Sequence, residues 1–72
     1  MNPIPMILNA RKALDDYSEI IFGEKPVDVD EYANVMTALL SDLRHFCEAE
    51  TIDFKQQVAA SYDLYAAEKG NR

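Results

Sequence analysis

The stretch Asp28-Val29-Asp30-Glu31-Tyr32-Ala33-Asn34-Val35-Met36-Thr37-Ala38-Leu39-Leu40-Ser41-Asp42-Leu43-Arg44-His45-Phe46-Cys47 decides the fold. From Tyr32 onward its apolar residues, Val35, Met36, Leu39, Leu40, Leu43, Phe46 and Cys47, recur at spacings of three, four and seven. That is the period of one helix face and not the alternation of a strand. Asp28, with Glu31 three residues on, resembles a capping box in an aspartate variant, and Asp30 adds favourable charge to the first turn. The helix is therefore expected over 29–49. Its apolar face is wide, as a middle helix contacted by two neighbours requires, so the stretch reads as the spine of a three-helix bundle.

The neighbours follow on either side. Upstream, Ile7, Ala10, Leu14, Tyr17 and Ile21 form a second helical stripe, widened by Ala13 and Ile20, with Arg11, Lys12, Asp15, Asp16 and Glu19 expected on the opposite face. This helix should span 6–22. Pro5 is tolerated in a first turn, whose N–H groups lack intrahelical partners, and Gly23 followed by Pro26 is the usual order for stopping a helix. Downstream, Thr51-Ile52-Asp53 breaks the pattern, and Asp53 with Gln56 repeats the capping arrangement. A third helix is expected over 54–68, with Phe54, Val58, Ser61, Tyr62, Tyr65 and Ala66 on one face and Gly70 as the stop before Asn71-Arg72. The expected fold class is all-α, a single domain over 1–72, with a core of Ile7, Leu14, Ile21, Val35, Leu39, Leu43, Phe46, Val58 and Tyr62.

Composition agrees and narrows the function. The chain has 72 residues, so it buries only about 60% of its unfolded surface and has no room for a second core. At that size the margin of stability is small, and self-association as a dimer is one expected source of it. Two glycines and three prolines leave too little punctuation for hairpins. Thirteen acidic against 7 basic residues give a net charge of −6. That charge repels phosphate backbones and anionic membranes and argues against direct nucleic-acid binding. Cys47 is the one cysteine, which leaves it a small hydrophobe and suits a reducing compartment. The first residues lack a basic n-region, and no apolar run approaches a membrane span, so a cytoplasmic location is expected.

The search for chemistry yields little. His45 is the sole histidine, flanked on one side of its helix by Asp42 one turn before and Glu48 one turn after. Without ligands from another helix, these three read as solvated side chains, with Asp42 and His45 in local hydrogen-bond reach. Ser18, Ser41 and Ser61 lack a basic partner, and two isolated glycines make no phosphate loop. No catalytic residue, metal ligand or cofactor is expected. Acidic residues that imitate phosphates are the further alternative, but Asp28, Asp30, Glu31 and Asp53 are accounted for by helix N-termini. Tyrosine and methionine favour protein interfaces. The expected function is thus non-catalytic protein binding through Tyr32, Met36, Leu40, Tyr62 and Tyr65, with a purely structural homodimer as an alternative.

Two resemblances bear on this expectation. The segment from Leu39 to Phe54 looks like stretches of small phage and prophage proteins, which implies a mobile-element setting. Continued to Tyr65, it is also similar to the second half of MazG-like nucleotide pyrophosphohydrolases, where a helix ends before an Ile-Asp turn and another follows. That family holds magnesium with a Glu-x-x-Glu pair and a later Glu-x-x-Asp pair. Asp42 matches the final acidic position, but Leu39 stands where its glutamate should be, and Asp28 and Glu31 lie too close upstream. The resemblance implies a helical scaffold without the catalytic metal site, and a degenerate nucleotide pyrophosphohydrolase module of this type is the other alternative to protein binding.

Overall fold

The computed structural model describes residues 2–70. The chain is all-α, a three-helix bundle with α1 over Ile4–Phe22, α2 over Val29–Glu50 and α3 over Phe54–Gly70. The expected stop at Gly70 before Asn71 and Arg72 runs to residues outside the described ones.

Each boundary has a local cause. α1 begins two residues before the expected start because the Asn2 side chain accepts the Ile4 N–H at 3.1 Å, which leaves Pro5 inside the first turn. It ends at Gly23, whose φ of 84° is left-handed and whose N–H donates to the Glu19 carbonyl. The expected cap of α2 is present: Asp28 Oδ1 accepts the Glu31 N–H at 2.9 Å, and Glu31 Oε1 reaches back to the Val27 N–H at 3.1 Å. Asp53 caps α3 in the same way through the Gln56 N–H. Between α2 and α3 the chain turns at Thr51, left-handed at φ 62°, where the Ile52 N–H donates to the Cys47 carbonyl at 2.8 Å. This six-to-one bond ends a helix in the manner of a Schellman turn, here without its usual glycine.

The helices join in a chain of two contacts, α1 on α2 and α2 on α3; among the described residues α1 and α3 do not approach at the backbone. α1 meets α2 through polar bonds. Asp15 Oδ1 accepts the Tyr32 hydroxyl at 2.7 Å, while Asp42 Oδ2 accepts the Tyr17 hydroxyl at 2.6 Å. Residues 15 and 17 lie about 3 Å apart along α1, yet their partners lie about 15 Å apart along α2. α1 therefore crosses α2 steeply instead of lying alongside it. At the crossing Val35 is 5% exposed and Ser18 is 2% exposed, its hydroxyl donating to the Glu24 carbonyl at 2.6 Å. Pro26 is also buried there. At the other joint Cys47 is buried and the Arg44 guanidinium lies 4.5 Å from the centre of the Phe54 ring.

This geometry corrects the expected core. Of the nine residues placed in it, Val35 alone is buried, and Leu14 and Leu39 are half-buried. Ile7, Ile21, Leu43, Phe46, Val58 and Tyr62 are exposed. The expected polar face of α1 is corrected as well, since Arg11 and Asp15 point at Tyr32 on α2. The physical reason is common to both. Periodicity identifies the faces that burial favours, but a bundle closes on them only where helices lie side by side, and a steep crossing covers a single patch. The result is an open, flat layer of 38 × 32 × 16 Å with a radius of gyration of 13.9 Å, against about 11 Å for a compact domain of this length.

Candidate protein-docking face

Much apolar surface of this open layer is left uncovered. Among the described residues, seventeen large apolar side chains are exposed, from Leu43 at 39% to Val29 at 81%. Isolated exposed hydrophobes are ordinary, but here they continue the helical stripes that periodicity assigns to a core. On α2 the exposed members are Met36, Leu40, Leu43 and Phe46; on α3 they include Val58, Tyr62 and Tyr65. α1 contributes Ile7 and Ile21.

Two of these stripes face each other. A cleft of about 570 Å³ separates Met6, Ile7 and Ala10 of α1 from Tyr65, Glu68 and Lys69 of α3, with Pro3 at its edge. Its walls are apolar apart from Glu68 and Lys69 at the rim. Tyr65 is fixed locally: Lys69 Nζ donates to its hydroxyl at 3.2 Å and also lies 5.5 Å from the ring centre. The Tyr62 ring stands 6.3 Å away, tilted by 41°. The two aromatic rings thus lie side by side on α3, and tyrosine is a residue type enriched at interface anchors.

The residues expected to bind a partner are therefore dispersed in role. Met36, Leu40, Tyr62 and Tyr65 are exposed. Tyr32 is not free to act with them. Its ring lies 5.3 Å from the Arg11 guanidinium and its hydroxyl is bonded to Asp15, so it belongs to the α1–α2 joint. Sequence reasoning missed Met6, Ile7 and Ala10 as companions of Tyr65, because nothing local indicates that the start of α1 faces the end of α3.

The polar candidates are also placed. Asp42 is bonded to Tyr17 on α1 and not to His45, which corrects the local pairing expected within α2. That bond, with desolvation, holds the Tyr17 hydroxyl above the usual tyrosine pKa. The Tyr32 hydroxyl is raised likewise by its bond to Asp15, with Arg11 partly opposing. His45 and Glu48 are exposed. Asp28 and Glu31 are occupied by backbone N–H groups at the α2 cap. Among the described residues, no three His, Cys, Asp or Glu side chains are grouped to hold a metal ion, and no helix is long and apolar enough to cross a membrane. No family model, curated protein or solved structure matches this chain.

Proposed function

We propose that this chain is a small non-catalytic protein-binding module that works in the cytoplasm. The observation that carries the reading is the exposed apolar surface of the three helices, which includes Met36, Leu40, Tyr62 and Tyr65. Water contact with such a surface is unfavourable by about 25 cal/mol for each Å² of apolar area, so a partner that covers it gains that much before paying for association. The free, buried thiol of Cys47 supports the reducing compartment. The resemblance of residues 39–54 to small phage and prophage proteins makes a mobile-element setting part of the same proposal.

The test is affinity capture of host proteins on the intact chain, run beside a Leu40→Glu, Tyr62→Glu double variant whose helix content is checked by circular dichroism. A protein held by the wild type and lost from the folded variant supports the reading. Equal retention on both chains, or no retention of any protein including the chain itself, overturns it.

A further inference from the structure

We infer that the exposed apolar stripes are covered by a second copy of this chain, so that two open layers pair into a six-helix dimer. This rests on the protein-binding reading above and names its partner.

The first argument is area. The chain exposes 5903 Å², about 1,400 Å² more than the roughly 4,500 Å² expected of a compact protein of 8.2 kDa. If each copy buries that excess on the other, the pair removes about 2,800 Å², inside the range of roughly 2,000 to 5,000 Å² found in obligate homodimers. One equivalent copy is therefore enough to bring both chains to normal exposure. A short peptide in the cleft between Ile7 and Tyr65 would leave most of the α2 stripe wet.

The second argument is the kind of surface. A two-fold interface must complement itself, and apolar stripes do so without any pairing of opposite charges. The uncovered stripes are the ones that helical period assigns to a bundle core, represented by Ile7, Leu43, Val58 and Tyr62. Dimerisation gives those residues the burial that the steep crossing of α1 and α2 denies them within one chain.

The third argument distinguishes this occupant from a basic partner. Each copy carries a net charge of −6. Two such copies repel, and added salt screens that repulsion, so the dimer should tighten as ionic strength rises, whereas a basic partner would be released.

Sedimentation equilibrium of the full purified chain, from low micromolar to millimolar concentration at low and high salt, tests the proposal. The expected result is a mass of twice the 8.2 kDa chain at low micromolar concentration, with dissociation weakened by salt. Ile7→Glu or Tyr65→Glu should shift the dissociation constant upward by about tenfold or more, as expected for anchor positions. Because either variant can lose its fold, a wild-type sample mixed from labelled and unlabelled chains supplies a second readout. Nuclear Overhauser contacts between chains should appear at the methyls of Ile7, Leu40 or Leu43. A one-chain mass at millimolar concentration, or a two-chain mass with no interchain contact at these methyls, overturns the proposal. A monomer that still captures a host protein through Leu40 and Tyr62 removes only the second copy as occupant; a monomer that captures none removes the protein-binding reading as well.

Discussion

Val35→Ala against Val29→Ala isolates what the α1–α2 crossing contributes. The two valines lie on the same helix, two turns apart, and differ in exposure: 5% at Val35 and 81% at Val29. Removing two methyl groups from a buried site loses about 1.6 kcal/mol of transfer free energy at roughly 0.8 kcal/mol per carbon, and an unfilled cavity adds to it. Alanine returns about 0.5 kcal/mol at Val35, inside the helix, because it is the better helix former, and less at Val29, the first residue of α2. Val35→Ala should therefore destabilise the chain by about 1 to 2 kcal/mol, while Val29→Ala should be neutral or slightly stabilising. Urea denaturation followed by far-ultraviolet circular dichroism, with all proteins at one concentration, measures both. The helix-propensity gain at Val35 opposes the loss, so a larger destabilisation there than at Val29 reports burial. Effects equal within about 0.5 kcal/mol would refute the crossing at Val35 as the packed centre of the chain.

The remaining joints make their own predictions. Ser18→Ala removes the 2.6 Å bond to the Glu24 carbonyl and should cost about 1 kcal/mol in the same assay; an unchanged midpoint would mean that the loop is held by packing at Pro26 alone. Gly23→Ala and Thr51→Gly should have opposite signs. A Cβ at Gly23 meets nothing within 4 Å, so its cost of about 1 kcal/mol is backbone strain alone. Thr51 already bears that strain at φ 62°, and glycine there should raise the melting temperature by several degrees. Equal shifts of one sign would refute this account of the two turns. At alkaline pH, the raised pKa of Tyr17 means that its bond to Asp42 contributes fully below the unfolded tyrosine value of about 10. The contribution is lost as pH rises through the higher folded value. The urea midpoint of the wild type should then fall more steeply above about pH 10 than that of Tyr17→Phe, and parallel curves would refute the coupling.

Much of the candidate face was legible in the sequence, in one specific sense. The stripes at Ile7 to Ile21, Tyr32 to Cys47 and Phe54 to Tyr65 are apolar at helical spacing, and period alone identifies them as faces seeking cover. It cannot say what covers them. Met36, Leu40, Tyr62 and Tyr65 are exposed, and so are Leu43 and Phe46, which the same spacing assigns to the core. Tyr32 went the other way, drawn into the joint by Asp15 and Arg11, two residues whose charge had assigned them to the solvent side.

The sequence by itself determined the three helices, since their signals act within a few residues: the Asp28 and Asp53 caps, the Gly23 stop and the repeat of three and four. It also determined that no strand-forming alternation competes. Only the tertiary structure decided how the helices meet. The crossing depends on Ser18 reaching Glu24, on Tyr17 and Tyr32 finding carboxylates 25 and 17 residues away, and on Thr51 turning left-handed without glycine. Those are contacts between residues distant in the chain, or conformations that no local preference favours, and their free energies appear only once the helices are already in place.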